Sequence, residues 1–276
     1  MKTRTGAVGA IVAVLLAAVT LSGCGNIDAA TGAGDDFERF MSEQEHITGA
    51  AGGGTNDLPW QGSPSGEVTV REDISADDLE TVVDIVGEYY VDHDGGNLDW
   101  KGMDVNIGGF RLAVEKTKSI NDGLRALFES IRENPIYDGG DIQLREIELT
   151  VDGDPSVDAL DLLSSSFANL EDHFVEYTDI EGRPALSDTI SVVFESANDG
   201  DRFIFTQSGA GQRPEAEIAA FQALWASATL EYARVEKDSF YVQLADESSV
   251  PESDARVRSL LVGYPEGAIT VNGPRG

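Results

Sequence analysis

The side chains that could perform chemistry are few in this sequence, and the most distinctive is the single cysteine, Cys24. A thiolate is a nucleophile and a metal ligand. Here the cysteine follows an uncharged stretch from Ala7 to Leu21, which begins after Lys2 and Arg4. In a helix these fifteen residues span about 22 Å, short of the roughly 30 Å of a hydrocarbon core. The stretch is therefore too short to favour a transmembrane helix, and its length is typical of the apolar region of an export signal.

Leu21-Ser22-Gly23-Cys24 resembles the lipobox of bacterial lipoproteins, and the resemblance covers residues 1–24. It implies that residues 1–23 are a signal peptide, that cleavage falls between Gly23 and Cys24, and that the sulfur of Cys24 carries a diacylglyceryl group. Fatty-acyl chains such as palmitate hold a protein stably on a membrane when two or more are attached. The resemblance therefore predicts export and a lipid anchor on the extracytoplasmic face of the cell membrane. Two alternatives stay open: an ordinary secretory signal with a chance cysteine, and an uncleaved amino-terminal anchor.

A short acidic loop is the best metal candidate in the rest of the chain. Its oxygen-bearing side chains are hard ligands of the kind that calcium prefers. They are Asp92, Asp94, Asn97 and Asp99. An EF-hand loop needs glycine at its sixth place and glutamate at its twelfth, where this loop has Asn97 and Met103. A metal-free loop that leaves a helix explains the same residues, and the sequence favours that interpretation.

No catalytic constellation is visible in the sequence. The histidines, His46, His93 and His173, do not fall at metal-motif spacing, and with Cys24 used as an anchor no Cys/His zinc set exists. No G-x-S-x-G motif marks a nucleophilic serine. A hidden serine site or carboxylate pair stays open, but the sequence predicts no catalytic residue and no cofactor. Four aromatic residues are candidates for a binding surface, although they are more typical of a core: Tyr89, Trp100, Tyr137 and Trp225.

Acidic residues dominate the charge of the chain. It carries 50 acidic and 19 basic residues, for a formal net charge of −31 at pH 7. Loss of residues 1–23 would make the charge more negative, because that segment has two basic residues and no acidic one. Nucleic acids and anionic lipid head groups both attract basic surfaces, so this composition argues against either as a partner. The acidic surface favours solubility and identifies no partner.

Residues 24–65 are the first segment after the predicted cleavage site. They are rich in glycine, serine and acidic residues and show no sustained period. Such a segment cannot bury enough surface to offset its ordering entropy, so we expect the lipidated cysteine to be followed by a flexible tether. About 40 residues of flexible coil have a root-mean-square span of roughly 35 Å. The alternative is that a helical turn or two around Phe37, Phe40 and Met41 docks on the folded domain.

Residues 66–152 read as a first α/β subdomain with the order strand–helix–strand–strand–helix–strand. One helix is indicated by Leu79, Val82, Val83 and Val86, which share a helical face after a capping-box-like start at Ser75. A phase change at residues 145–146 suggests a β-bulge within the last strand. The order predicts an α+β fold of antiparallel sheets packed with helices, ferredoxin-like in this half.

Residues 153–276 read as a second subdomain with the order α-ββ-α-ββ-α-β, packed on the first. Its first helix is expected near residues 156–174. The tandem short helices and paired strands resemble in part the BON domains of envelope proteins. The outer sheet face is expected to be polar in the first half and apolar in the second, so we expect an extra layer over the second half. The residues that suggest it are Val193, Ile204, Tyr232 and Tyr241.

These observations predict a membrane-anchored envelope lipoprotein with a non-enzymatic binding or structural domain. Its partner would be an envelope protein, a cell-wall polymer or a small solute, and not a nucleic acid. The alternatives are an envelope hydrolase with an unrecognised site and a carrier of a hydrophobic solute. A cavity with convergent polar groups would favour a solute or substrate site, whereas a closed core with a flat polar surface would favour a structural role.

Overall fold

The computed structural model describes residues 29–58, 61–144, 146–155, 189–196, 201–208 and 212–274. The lipobox, the expected helix near 156–174 and His173 lie outside the described residues. The helices within them are α1 (Ala29–Ser42), α2 (Ala76–His93), α3 (Lys118–Arg132), α4 (Glu215–Trp225) and α5 (Val250–Leu260). The strands are β1 (Ile47–Leu58), β2 (Gln61–Val70), β3 (Met103–Ile107), β4 (Phe110–Val114), β5 (Gly139–Ile142), β6 (Glu146–Asp152), β7 (Thr189–Glu195), β8 (Arg202–Ser208), β9 (Leu230–Glu236), β10 (Ser239–Leu244) and β11 (Ile269–Asn272).

The strands form one mixed sheet and lie in sequence order from β1 at one edge to β11 at the other. Hairpin partners such as β3 and β4 run antiparallel, and the strands joined by a helix, such as β4 and β5, run parallel. The expected α+β class is therefore confirmed, while the expected antiparallel sheets are corrected to a single mixed one.

The ferredoxin-like arrangement is not confirmed by the strand order. A split βαβ unit places another strand between the two parallel strands that its helix connects. Here β2 and β3, which α2 connects, are direct neighbours. β6 and β7 also pair directly, so the predicted boundary at residue 152 falls inside one continuous sheet.

The described helices lie on one face of this sheet. The ring of Phe128 in α3 is 5.6 Å from that of Phe110 in β4, and the ring of Phe221 in α4 is 5.0 Å from that of Phe205 in β8. α2 contacts α3, and α4 contacts α5. Strand register places the two sheet phenylalanines on the same face through the paired positions Phe110, Gly140, Leu149, Val192 and Phe205.

This arrangement gives the crossovers through α2 and α3 opposite hands. β2 and β3 point one way, β4 and β5 point the other way, and both helices cover the same face. Parallel crossovers are almost always right-handed, and that rule would place α2 and α3 on opposite faces.

The amino-terminal part of the domain departs most from the sequence prediction. Residues 29–58 and 61–65, predicted as a flexible tether, form α1, β1 and the start of β2. A methyl group on Gly62 would lie 2.6 Å from the backbone of Ala30, and one on Gly66 would lie 2.6 Å from the ring of Phe37. Glycine in a strand often marks such a close approach. The tether prediction is therefore wrong for these residues, because their glycines are packing positions.

A second correction concerns the predicted bulge at residues 145–146. The structure has two strands there, β5 and β6, which pair antiparallel with Ile142 opposite Ile147. The change in alternation thus marks a chain reversal. The predicted helix over α2 and the predicted hairpin of β3 and β4 are confirmed, with the side chain of Ser75 accepting a hydrogen bond from the Asp78 N–H (3.2 Å).

The sheet face opposite the helices is polar in its first half, as expected, with Asp104, Asn106 and Arg111 partly exposed. In the second half Val193 is fully buried on that face, and its neighbour Ile204 is half-buried. The described helices cover the other face, so the expected extra layer is not among them. None of the described helices is long and apolar enough to cross a membrane.

Candidate ligand-binding cavity

A cavity of about 750 Å³ lies between α1, the carboxyl end of α2 and the loop that follows α2. This volume is within the range of small-molecule sites. The polar lining comes from both helices and the loop, while Ala29, Gly32 and Ala33 leave space on the α1 side. The polar residues are Asp35, Asp36, Arg39, Glu43, His93 and Asn97.

An aromatic cluster forms the inner wall of the cavity. The ring of Tyr89 is 5.2 Å from that of Phe40 and stacks on the imidazole of His93 at 3.8 Å. Phe37 and Trp100 pack edge-on against Tyr89, at 5.3 and 5.9 Å. Phe40 is 42% exposed, whereas Tyr89 is 5% exposed. The cavity therefore has a buried aromatic floor and one aromatic ring at its opening.

The loop after α2 holds this wall in place through backbone and side-chain hydrogen bonds. The carboxylate of Asp94 accepts from the Trp100 N–H (3.0 Å) and from the Lys116 ammonium (2.6 Å). The indole N–H of Trp100 donates to the His93 carbonyl (3.1 Å). The hydrogen bond from Lys116 is the main reason why the pKa of Asp94 is lowered, and the backbone N–H of Trp100 adds to it. The chain reverses direction within this loop, and Gly96, with φ of 65°, supplies the left-handed backbone conformation that the reversal requires.

The hydroxyl of Tyr89 is a polar group without a hydrogen-bond partner among the described residues, and its side chain lines the cavity. The ring of Tyr89 is buried, whereas its hydroxyl is not among the buried polar atoms that lack a partner and therefore keeps some solvent access. Burial raises the pKa of Tyr89, the charge of Asp36 raises it further, and Arg39 opposes the shift. The phenol therefore stays neutral and can donate or accept one hydrogen bond from a bound molecule.

The cavity rim carries more negative than positive charge. The guanidinium of Arg39 pairs with Asp36 (2.5 Å). Asp35 and Glu43 form no ion pair within the described part of the chain. The Nδ1–H of His93 donates a hydrogen bond to the Tyr89 carbonyl (3.0 Å). This bond does not involve Nε2, the other nitrogen of the ring. Two uncompensated carboxylates thus stand beside an aromatic floor.

The oxygen-bearing side chains of the acidic loop are not gathered at one point in the structure. Asp94 is occupied by Lys116 and Trp100, and the carboxylate of Asp99 pairs with the ammonium of Lys101 (2.5 Å). Asn97 lines the cavity, whereas Asp92 lines a separate depression. Across the described ranges no three or more histidine, cysteine, aspartate or glutamate residues are placed to hold a metal. Cys24 and Gly23 lie outside those ranges.

The helical segment with Phe37, Phe40 and Met41, which the sequence left open as an alternative to a tether, is α1, but nothing in the sequence placed it at a binding site. A signal for the helix was present, because Ala30, Gly34, Phe37 and Met41 are spaced by four, three and four residues and form the buried stripe of α1. The high glycine content of the segment made a flexible tether the favoured prediction despite this stripe. Tyr89 and Trp100 are buried, as predicted for core aromatics, and they also line the cavity.

No protein-family model, curated protein or solved structure matches this chain.

Proposed function

We propose that this chain is a bacterial envelope lipoprotein, anchored through Cys24, whose α+β domain binds a small solute in the cavity between α1 and α2 without catalysing a reaction. The lipobox at residues 21–24 supports the anchor. The observation that carries the binding role is the cavity, with the buried side chain of Tyr89 on its wall and a Tyr89 hydroxyl that has no hydrogen-bond partner among the described residues. A cavity with convergent polar groups favours a solute site over a purely structural surface.

The lining bears differently on the two other roles that the sequence left open. It contains no serine, which disfavours a serine hydrolase at this cavity, whereas the carboxylates of Asp35, Asp36 and Glu43 leave a carboxylate pair open. The charged rim, with Asp35 and Glu43, disfavours a purely hydrophobic solute because their desolvation would be costly. A binding site for a polar or charged solute fits these groups best.

The anchor would hold the cavity close to the membrane. Ala29, which lines the cavity, follows Cys24 by five residues, and five residues span at most about 17 Å. This reach is about half of the span expected for a 40-residue tether. The proposed binding site would therefore lie near the lipid head groups.

The anchor is tested by expressing the full chain and its Cys24→Ala variant in a bacterium. We expect the unmodified chain in the membrane fraction, beginning at Cys24 and with added lipid mass, and the variant in the soluble envelope fraction. Thr20→Ala, which leaves residues 21–24 intact, is the matched control and should remain anchored. A Cys24→Ala protein that stays acylated and membrane-bound would refute the anchor.

The cavity is tested by filling it. A side chain at Gly32 would have no neighbouring atom within 4 Å of its Cβ, so Gly32→Phe should occupy space in the cavity without disturbing the fold. We expect solutes that raise the unfolding temperature of the unmodified lipoprotein to lose this effect in Gly32→Phe. Gly53→Ala, also in open space but outside the cavity, should retain it. Equal solute responses in both variants would contradict a role for the cavity.

A further inference from the structure

We infer that the cavity between α1 and α2 selects an organic cation, namely a protonated amine or a quaternary ammonium group. This inference rests on the proposed function, since it names the ligand class of the same cavity. It depends on the charge of the rim, the aromatic wall and the free tyrosine hydroxyl, which come from α1, the residue that follows it and α2.

The rim provides the charge that a cation would meet. Arg39 compensates Asp36, whereas Asp35 and Glu43 remain uncompensated within the described residues. A cleft lined by one sign of charge concentrates ions of the opposite sign. The same carboxylates would repel an anion of similar size, so the rim both attracts cations and excludes anions.

The aromatic wall provides a second and independent attraction for a cation. Phe40 presents an exposed ring at the opening, and the ring of Tyr89 lies 5.2 Å behind it. A cation within about 6 Å of an aromatic ring face is attracted by about 0.5–2 kcal/mol, depending on how far it is desolvated. A neutral molecule of the same shape would gain only the apolar contact.

The hydroxyl of Tyr89 completes the set of groups that face the ligand. Because the phenol is neutral, its oxygen can accept a hydrogen bond from an ammonium N–H, or it can donate to a hydroxyl carried on the same ligand. Amino alcohols and diamines combine these features. The cavity of about 750 Å³ has room for either.

Such an ammonium group has two sources near the proposed anchor. One is a free amine in the envelope, and the other is the head group of an amine-bearing phospholipid, which the short link to Cys24 would bring within reach. The chemistry of recognition is the same for both, so the experiment includes one arm for each source.

The test is isothermal titration of the mature lipoprotein in uncharged detergent micelles with choline, and with its neutral carbon analogue 3,3-dimethylbutanol. We expect choline to bind at least tenfold more tightly than the neutral analogue. The double variant Asp35→Asn/Glu43→Gln should lose at least tenfold in choline affinity, and Tyr89→Phe should lose less. Glu38→Gln removes a charge from the same helix outside the cavity lining and should bind choline normally.

The outcomes separate the two proposals. Equal binding of choline and its neutral analogue, abolished by Gly32→Phe, would keep the cavity as a binding site and overturn its selection of cations. An equal loss in Glu38→Gln and in the double variant would also overturn it, because general charge would then explain the effect. No binding of either probe would overturn the selection of cations, and the proposed function would then be decided separately by whether Gly32→Phe and Gly53→Ala differ in their response to other solutes.

The source is resolved by competition against vesicles. Vesicles of phosphatidylethanolamine that displace choline, where phosphatidylglycerol vesicles do not, would assign the site to a lipid head group. Displacement by putrescine and by neither vesicle would assign it to a free amine. Either result supports recognition of a cation.

Discussion

Glycines in the amino-terminal strands illustrate how single residues shape this fold. Gly34 of α1 lies against the backbone of β1, and a methyl group at Gly34 would lie 2.7 Å from the Gly53 nitrogen. A methyl group at Gly52 would collide with the Gly34 carbonyl. Gly52 therefore sets how closely α1 can approach the sheet, and α1 supplies half of the cavity.

We expect Gly52→Ala to lower the free energy of unfolding by about 1–3 kcal/mol, the usual cost of overpacking a close contact. Gly53→Ala on the same strand is the matched control, because its methyl group would meet nothing within 4 Å, and its effect should stay within about 0.5 kcal/mol. Urea unfolding of both variants measures the difference. Equal stabilities would show that α1 does not rest on the backbone of β1.

At the scale of elements, the sequence predicted the helices and strands in which apolar residues recur with a regular period. The stripe of Leu79, Val82 and Val86 defined α2, and Gly108, with φ of 60°, marked the β3–β4 turn. That α2 and α3 cover the same face could not be predicted, because the rule of right-handed crossovers would have placed them on opposite faces. The cavity could not be predicted either, since it depends on α1, whose buried stripe is built partly from alanine and glycine.

Glu217 links three of these elements through one buried side chain. It belongs to α4 and is fully buried. Its Oε1 accepts hydrogen bonds from the Asp238 N–H in the β9–β10 turn (2.7 Å) and from the Tyr264 hydroxyl between α5 and β11. Burial raises the pKa of Tyr264, and its hydrogen bond to Glu217 raises it further.

The raised pKa of Tyr264 predicts a loss of stability at alkaline pH. The phenol of the unfolded chain ionises near pH 10.0, whereas the folded state keeps its proton to higher pH. The stabilisation is therefore complete below pH 10 and is lost as pH rises above it.

We expect Tyr264→Phe to lower the free energy of unfolding by about 1–3 kcal/mol at pH 8, and the gap to the unmodified protein to narrow above pH 10. Tyr241→Phe, on the opposite face of the sheet, controls for the loss of a phenol. Urea unfolding between pH 8 and 11 provides the measurement. A gap that stays constant across this range would contradict the link between Tyr264 and Glu217.

At the scale of the whole molecule, we expect charge to oppose folding more than it supports it. The chain has 50 acidic and 19 basic residues, so most carboxylates have no cation to pair with. The ion pairs that do form, such as Arg111–Asp141 and Lys118–Asp84, are partly exposed, and pairs of that kind contribute at most about 1 kcal/mol each. The same net charge would keep the domain from adhering to anionic head groups, so approach to the membrane would depend on the anchor.

Added salt distinguishes the repulsion among carboxylates from the attraction within the ion pairs. It screens both, but weaker repulsion raises the stability of the fold whereas weaker ion pairs lower it. At an ionic strength of 0.1 M the screening length is about 10 Å, which weakens repulsion across the acidic surface as well as the exposed ion pairs. Because acidic residues greatly outnumber basic ones, we expect repulsion to dominate, and the Tm to rise by about 2–4 °C, or about 1 kcal/mol, between 10 mM and 300 mM sodium chloride. Sorbitol at matched osmolality should reproduce little of this rise. A Tm that falls with sodium chloride would mean that the ion pairs outweigh the repulsion.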